Sequence, residues 1–387
     1  MASAIAAAVG MLLAGALSGC GSQGVAVSWN TVSSPNPAGG VDVDLDSVAC
    51  APSGDCWAVG FYQIAAGSGT ESLPLVERNA GSGWAIVPSP SPAGASGALL
   101  YAVTCAGTGC WAVGSSTDQS GDTQTLVEQD TGSGWSVVAS PTPSGATNVG
   151  LDAVACSGSN DCWAAGSYTD ASKNFQTLVE QDLGGVWTVA GPPATPGELF
   201  GLTCAGAGDC WAVGGSSGTT GGTSAALIEH DTGDGWKAVS SPSPAHSTES
   251  ELSGVICAGA SDCWAAGSSA GANGNSQALI ERNTGSGWRI VSTPAPSGSA
   301  ADDLNGVACA GGGECWAVGS STQTSSSSPT LIEQWSGGGW SVVSSPDPAS
   351  SPGSALQAVA CASASDCWAV GSYTTADDNT QTLIAHT

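Results

Sequence analysis

One short motif, Cys-Trp-Ala-Val/Ala-Gly, recurs seven times along this 387-residue chain and constrains its fold more than any other feature. The cysteines that open successive copies are 54, 52, 48, 53, 52 and 52 residues apart. A period near fifty residues, built from short strand-like segments, is typical of a β-propeller or another repeat architecture. We therefore expect one structural unit repeated seven times.

Each unit contains four short apolar or alternating segments, bounded by Gly, Ser, Asp or Pro. In the second unit these segments are 99–105, 110–114, 125–129 and 135–140. Four short strands per unit describe a propeller blade, and no segment beyond the N-terminal apolar stretch has helical periodicity. The predicted fold is an all-β, seven-bladed β-propeller with four-stranded antiparallel blades.

The two ends of the chain are predicted to share the seventh blade. An isolated fourth-strand segment, 27–37, precedes the first unit and matches segment 339–348, whereas the last unit stops after its third strand. The N-terminal strand would then complete the last blade and close the ring. Seven tryptophans fill the fourth-strand position, which agrees with seven blades: Trp29, Trp84, Trp135, Trp187, Trp236, Trp288 and Trp340.

Fourteen of the 15 cysteines form close pairs, one in each unit, across a four- or five-residue turn between the first and second strands. A disulfide there would stabilise the hairpin by about 2 kcal/mol. A closed zinc site needs two such pairs, which the ring holds apart. Disulfides indicate an oxidising, extracytoplasmic compartment. The predicted bonds are Cys50–Cys56, Cys105–Cys110, Cys156–Cys162, Cys204–Cys210, Cys257–Cys263, Cys309–Cys315 and Cys361–Cys367.

The N-terminal residues resemble a bacterial lipoprotein signal. Residues 1–19 are apolar and too short for a spanning helix, and LSGC at 17–20 is similar to a lipobox. The resemblance implies that Cys20 is lipidated and anchors the chain to the bacterial cell membrane; an ordinary secretory signal is the alternative. We predict a signal peptide over 1–19, an anchor and linker over 20–26, and the propeller over 27–387.

The charge of the chain restricts its partners. It has 5 Lys and Arg against 32 Asp and Glu, a formal net charge of −27. No basic surface is available to neutralise phosphates, so nucleic acid is excluded, and electrostatic docking to anionic lipid is disfavoured. The expected partner is a glycan or a protein at the cell surface, bound by a monomer whose only membrane contact is the lipid anchor.

Unit 153–193 resembles a kelch-type blade, with a second strand that ends in glycine and an Asp-containing turn before Trp187. The resemblance extends over residues 29–387 and implies a seven-bladed propeller. Only Gly214-Gly215 keeps the kelch glycine doublet, and the cysteine pairs are foreign to the pattern. The copper ligands of galactose oxidase, a kelch-like enzyme, and the Asp boxes of sialidases have no counterpart here.

The loops between second and third strands vary among the units, whereas the turns expected at the opposite face are regular. We call the side with the varied loops the variable face. A fixed scaffold with variable loops is typical of a binding surface. Aromatic side chains there can stack on sugars or anchor a protein, or can simply pack over the loop bases. The candidates are Phe61, Tyr62, Tyr168, Phe175 and Tyr373 in the loops, and Tyr101 and Phe200 at the starts of first strands.

Carboxylates also gather on the variable face, in an arc that includes the pairs 302–303 and 377–378. Asp42, Asp44 and Asp46 are the candidate ligands for calcium, which favours oxygen donors, and no other cofactor is expected. A solvated acidic rim is the alternative. A glutamate that recurs in six third strands is interpreted as structural: Glu77, Glu128, Glu180, Glu229, Glu281 and Glu333.

The sequence therefore favours a cell-surface binding propeller that recognises a glycan or a protein through the variable face. The alternative is a carbohydrate-active hydrolase or lyase that uses carboxylates on that face. A purely structural surface protein is a third hypothesis. No Ser-His-Asp or Cys-His arrangement is evident, so no catalytic residue is assigned.

Overall fold

The computed structural model describes residues 27–387, except positions 52, 68, 108, 191–195, 217–223, 260, 311–312, 326 and 350. These described residues form 28 strands and no helix, arranged as seven four-stranded antiparallel sheets. The predicted seven-bladed propeller is therefore confirmed. The signal peptide, the linker and Cys20 lie outside the described residues. Among the residues that are described, no helix long and apolar enough to span a membrane is found.

The strands follow one another in blade order, four to a blade. The N-terminal strand and blades 1 to 3 comprise β1 (Asn30–Val32), β2 (Val43–Cys50), β3 (Cys56–Ala66), β4 (Gly69–Asn79), β5 (Trp84–Ile86), β6 (Gly97–Ala106), β7 (Gly109–Thr117), β8 (Thr123–Asp130), β9 (Trp135–Val138), β10 (Thr147–Gly158), β11 (Asp161–Thr169), β12 (Phe175–Leu183) and β13 (Trp187–Val189).

Blades 4 to 7 repeat the arrangement. They comprise β14 (Gly197–Gly206), β15 (Asp209–Ser216), β16 (Ala225–Asp231), β17 (Trp236–Val239), β18 (Ser247–Gly259), β19 (Asp262–Gly271), β20 (Ser276–Asn283), β21 (Trp288–Val291), β22 (Ser299–Ala310), β23 (Glu314–Gln323), β24 (Thr330–Trp335), β25 (Trp340–Val342), β26 (Ser354–Ser363), β27 (Asp366–Thr374) and β28 (Thr380–His386).

The ring closes through the N-terminal strand, as the sequence predicts. Strand β1 pairs antiparallel with β28, so that Thr31 lies opposite Ala385 and the sheet order of blade 7 is β1-β28-β27-β26. Residues from the two ends of the chain thus form one sheet. Strand β1 thereby covers the outer edge of β28 and gives blade 7 its fourth strand.

The described cysteines form seven disulfides, with the pairing that the sequence predicts. In each blade the bond joins the first strand to the second at the turn between them, for example Cys156 opposite Cys162. Such a bond fixes a hairpin whose Gly- and Ser-rich strands bury little apolar area. Seven disulfides indicate an extracytoplasmic protein.

The Cys-Trp-Ala-Val/Ala-Gly stretch of the second strand is buried in every blade, apart from the half-buried Trp368 of blade 7, because neighbouring blades cover both faces of the strand. The tryptophan of this strand forms an edge-to-face pair with the fourth-strand tryptophan of the next blade. Trp111 and Trp187 meet in this way, with ring centroids 5.3 Å apart and planes at 80°. Seven such pairs surround the ring. An edge-to-face pair contributes about 0.5–1.5 kcal/mol beyond burial.

The recurrent glutamates of the third strands are fully buried, which supports their interpretation as structural residues. Each carboxyl whose partner is described accepts a hydrogen bond from a Ser or Thr in the link that enters its blade. Ser140 donates to Glu180 (Oγ–Oε2, 2.7 Å) and Ser241 donates to Glu281 (Oγ–Oε1, 2.8 Å). The link between blades is thereby attached to the centre of the following sheet.

Candidate functional site

Every first strand has a β-bulge at the same position of the repeat. In blade 3, Leu151 pairs with Gly166 and Ala153 pairs with Ala165, so Asp152 between them has no partner on the second strand. The same one-residue bulge follows a buried leucine in all seven blades. A bulge changes the direction of a side chain, which is why bulges are frequent at functional sites.

The glycine that ends each Cys-Trp-Ala-Val/Ala-Gly motif makes the bulge possible. A Cβ on Gly166 would lie 2.1 Å from the carbonyl oxygen of Gly150, and a Cβ on Gly319 would lie 1.9 Å from that of Asp303. The corresponding distances in the other five blades are 1.9–2.1 Å. No side chain fits at this position, because the bulged first strand presses its backbone against it.

The seven bulge residues meet at the central channel. The channel has a volume of about 700 Å³ and is lined by the first strands from the bulge to the disulfide. Small residues that follow the bulge bring these strands close together; a Cβ on Gly306 would lie 3.0 Å from the Cα of Ala358. We call the seven residues the channel ring: Asp46, Tyr101, Asp152, Phe200, Ser253, Asn305 and Gln357.

The channel ring differs from the rest of the repeat in its chemistry. The leucine before it and the glycine opposite it are the same in all blades, whereas the ring itself holds two carboxyls, two aromatic rings, one hydroxyl and two amides. Asn305 donates a hydrogen bond to the Leu356 carbonyl oxygen of the next blade, 2.9 Å away. A seven-fold scaffold thus presents seven side chains that follow no seven-fold pattern.

Both ring carboxyls have strongly raised pKa values. Burial raises the pKa of Asp46 to about 8, with further repulsion from Asp44 and Asp152. Burial likewise raises the pKa of Asp152 to about 7, together with repulsion from Glu198. The Oδ2 atom of Asp46 is buried and has no hydrogen-bond partner within the described part of the chain. At neutral pH the Asp46 carboxyl is therefore mainly protonated and able to donate a hydrogen bond.

More carboxylates surround the ring on the variable-face side. Burial raises the pKa values of Asp44, Glu198 and Glu251, and repulsion from Asp303 and Glu198 adds to the effect on Glu251. No Lys or Arg belongs to the described lining of the channel. The mouth of the channel is consequently a negative surface without a compensating cation.

The seven aromatic candidates have different surroundings. Tyr101 and Phe200 belong to the channel ring, on the first strands as predicted. The Tyr101 hydroxyl lies 3.3 Å from Ser115 Oγ. Tyr62, Tyr168 and Tyr373 instead pack against the apolar clusters between blades, and this is the packing alternative that the sequence left open.

The predicted placement of five aromatics in loops needs correction. Phe61 and Tyr62 lie within β3, Tyr168 within β11 and Tyr373 within β27, and Phe175 begins β12. The strands extend further than predicted because residues beyond the glycine still pair, as Tyr168 does with Gln176. Phe175 is 45% exposed, so it remains available to a ligand, and Phe61 is half-buried.

The proposed calcium ligands follow one another along the start of the first strand of blade 1. Asp46 lies in the channel ring, and Asp44 lies close enough for its charge to raise the pKa of Asp46. Asp42 precedes β2. In the ranges that the structure describes, no group of three or more His, Cys, Asp or Glu side chains is arranged to hold a metal ion. Calcium at Asp42, Asp44 and Asp46 stays a prediction.

Sequence reasoning missed four of the seven ring residues, although a signal for them exists. When the units are aligned on the first cysteine, a leucine lies five residues before it in every blade. The next column contains only polar and aromatic residues and is the most varied in chemistry along the first strand. That column is the channel ring. Asp152, Ser253, Asn305 and Gln357 could have been found there, and Asp46, Tyr101 and Phe200 could have been grouped with them.

Comparison with known protein families and with curated proteins finds no match for this sequence. Among solved structures the chain is similar to YCF48 from Cyanidioschyzon merolae, at 14% identity and a TM-score of 0.52 over 92% of this chain and 98% of that one. It is also similar to a GH74 xyloglucanase from Xanthomonas campestris, at 12% identity and a TM-score of 0.53 over 92% of this chain and 55% of that one.

A third similar structure is the BP39L lectin from Burkholderia pseudomallei, at 11% identity and a TM-score of 0.50 over 87% of this chain and 95% of that one. Identities this low establish a shared propeller fold only. The xyloglucanase chain is also nearly twice as long as the part matched here. Function has to be argued from the channel itself.

Proposed function

We propose that this chain is an extracytoplasmic binding protein that holds a glycan at the mouth of its central channel. The observation that carries the proposal is the channel ring, where seven equivalent positions hold chemically different polar and aromatic side chains. A packing role would favour the same residue in each blade, as occurs for the leucine before the ring. A site for an asymmetric ligand requires different groups around one cavity.

The ring has the groups that sugar recognition uses. Tyr101 and Phe200 offer aromatic faces for the apolar side of a sugar ring, and they lie two blades apart across Asp152. Asp46, which is mainly protonated at neutral pH, can both donate to and accept from sugar hydroxyls. Two of the similar propellers are, by name, a xyloglucanase and a lectin, and a glycan ligand is compatible with that likeness.

The test is binding of the purified, oxidised chain to an array of cell-wall and polysaccharide glycans, followed by calorimetry on the best ligand. We expect Tyr101→Ala and Phe200→Ala each to weaken binding about tenfold, the equivalent of 1.4 kcal/mol. Phe175→Ala, an exposed aromatic outside the channel, is the matched control and should bind as the wild type does. Loss of binding only in Phe175→Ala would move the site to the loops of the variable face. An array without a ligand would favour a protein partner or a structural role.

A second candidate function is cleavage of a glycan, either by hydrolysis or by elimination as in a lyase. The raised pKa of Asp46 favours this function. A carboxyl with a pKa of about 8 is protonated at neutral pH, as a general acid must be, and further carboxylates lie beside it. The test is release of reducing ends or unsaturated products from the glycans that bind. Turnover that disappears in Asp46→Asn while binding persists would establish the enzyme. Binding without turnover would leave the chain a binding protein.

We also propose that Cys20 carries the lipid that holds the propeller, as a monomer, on the cell membrane. The lipobox-like sequence at 17–20 supports this anchor. Metabolic labelling with a palmitate analogue should label the wild type and not Cys20→Ser. Release of unlabelled wild-type protein into the medium would instead indicate an ordinary secretory signal.

A further inference from the structure

A second cavity lies away from the channel, between blades 5 and 6. It has a volume of about 240 Å³ and is lined by β20, by the link that enters blade 6 and by the start of β22. Its polar lining consists of the hydroxyls of Ser276, Thr293 and Ser299, the amide of Gln277 and the carboxyl of Asp302. No Lys or Arg belongs to the described lining.

Asp302 is the unusual residue of this cavity. Its side chain is 96% buried, and Ser299 donates a hydrogen bond to its Oδ2 at 2.8 Å. Its Oδ1 is inaccessible to solvent and has no hydrogen-bond partner among the described residues. A buried carboxylate oxygen without a donor is costly, so its presence points to a ligand that compensates the charge.

The other blades provide an internal comparison. The position two residues before the first-strand leucine is apolar or glycine in blades 1 to 4 and serine in blades 5 and 7. Those serines are satisfied: Ser250 Oγ accepts from the Ala226 amide at 3.1 Å, and Ser354 Oγ donates to Asp347 at 2.5 Å. Blade 6 alone places a carboxyl there, and one oxygen of this carboxyl has no hydrogen-bond partner in the described part of the chain.

The hydroxyl groups that line the cavity already donate hydrogen bonds to neighbouring carboxyl oxygens. Ser276 donates to Asp303 Oδ2 at 3.0 Å, Ser299 donates to Asp302, and Thr293 donates to Glu333. Because each hydroxyl has one proton, the lone pairs of these oxygens are what remains for a ligand. The cavity therefore offers oxygen acceptors and, apart from the Gln277 amide, no side-chain donors.

We infer that the cavity between blades 5 and 6 is a binding site for a hard cation, of which calcium is the best fit. Calcium accepts six to eight oxygen ligands in flexible geometry, so one carboxylate, hydroxyl and amide oxygens and retained water can satisfy it. Magnesium requires a tighter octahedral arrangement. The site is separate from the predicted ligands Asp42, Asp44 and Asp46, and it does not depend on the channel ring.

The test is calorimetric titration of the purified, chelator-treated chain with calcium chloride, and in parallel with magnesium chloride. With one carboxylate in contact, we expect a dissociation constant of about 10⁻⁴ to 10⁻³ M for calcium, the range of extracellular modules. Asp302→Ser should abolish this binding, and it installs the residue that blades 5 and 7 use at the same position. Asp302→Asn, which keeps the shape, should weaken binding at least about tenfold.

Glu249→Gln removes a charge from an exposed residue and is the control that should bind calcium normally. Thermal unfolding without calcium tells whether each variant is folded. No calcium binding by the wild type up to 20-fold above about 10⁻³ M would overturn the inference. Equal binding by the wild type and Asp302→Ser, or loss of binding in Asp44→Asn instead, would also overturn it. None of these results depends on whether the channel binds a glycan.

Discussion

Ser34 donates a hydrogen bond to Glu77 across the seam where the ring closes (Oγ–Oε1, 3.0 Å). Ser34 follows β1, which belongs to blade 7, whereas Glu77 lies at the centre of blade 1. Equivalent bonds connect Ser89 to Glu128 and Ser140 to Glu180 around the ring. Among the described residues no Lys or Arg pairs with these buried carboxyls, and this arrangement gives the fold a defined dependence on pH.

Buried glutamates should make the protein most stable in acid. Burial raises the pKa of Glu77 to about 8 and those of Glu128, Glu180, Glu281 and Glu333 to about 7, against 4.5 for an unperturbed glutamate. Between pH 4.5 and these values the folded state holds protons that the unfolded state has lost. Stability is therefore full below about pH 4.5 and decreases as the pH rises through 7–8. We expect Tm to fall by about 5 °C or more from pH 5 to pH 8.5.

Glu128→Gln tests the cause of this pH dependence. Glutamine keeps the shape and cannot ionise, so the variant should have a higher Tm than the wild type at pH 8.5 and no such advantage at pH 5. Glu249→Gln makes the same exchange at an exposed position and is the control. A wild type that is more stable at pH 8.5 than at pH 5 would contradict the assignment of protonated, buried carboxyls.

The bulge should not tolerate a side chain opposite it. In Gly166→Ala the new Cβ would lie 2.1 Å from the Gly150 carbonyl oxygen, so the first strand must shift or the blade must open. We expect a loss of about 3 kcal/mol or more in the free energy of unfolding, measured by guanidinium denaturation. Gly158→Ala lies in the same blade with open space around its Cβ and should change stability by less than about 0.5 kcal/mol. Equal effects of the two exchanges would contradict the bulge geometry.

Each disulfide should contribute separately and modestly to stability. The loops that they close are short, so removing Cys156 and Cys162 together as Cys→Ser should cost about 2 kcal/mol while the propeller remains folded. Denaturant unfolding measures the loss in the free energy of unfolding, and near-UV circular dichroism shows whether the propeller is still folded. Reduction of all seven bonds should lower Tm much further than removal of the Cys156–Cys162 bond alone. Complete unfolding of the variant that lacks only the Cys156–Cys162 bond at 25 °C would contradict separate, modest contributions from the seven disulfides.

The repeat made the fold predictable from sequence. Spacing alone defines seven units, and the incomplete last unit defines where the N-terminal strand must pair. The close cysteine pairs define the disulfides, because only one pairing lies within each hairpin. Repetition also separates the six buried glutamates from candidate catalytic residues, since a feature common to six blades is a feature of the scaffold.

The site was harder to predict because bulges and side-chain contacts between strands leave no simple periodic signal. The Asp before most of the cysteines is one example. Asp262 holds Arg282 through two hydrogen bonds of 2.7 and 2.9 Å, and the guanidinium lies over Trp264, 4.4 Å from its centroid. This contact lies within blade 5, between adjacent strands β19 and β20, and depends on side-chain directions that residue spacing does not give. The direction of the ring side chains likewise depends on a bulge that period-two alternation does not anticipate.

The most direct test of the account is to fill the channel and measure glycan binding. Ser253 belongs to the channel ring, so Ser253→Trp places a large side chain inside the cavity. Ser136→Trp, on the exposed edge strand β9, is the matched control. We expect the wild type and Ser136→Trp to bind the same array ligand with equal affinity, whereas folded Ser253→Trp should not bind it. Undiminished binding by Ser253→Trp would contradict a site in the channel.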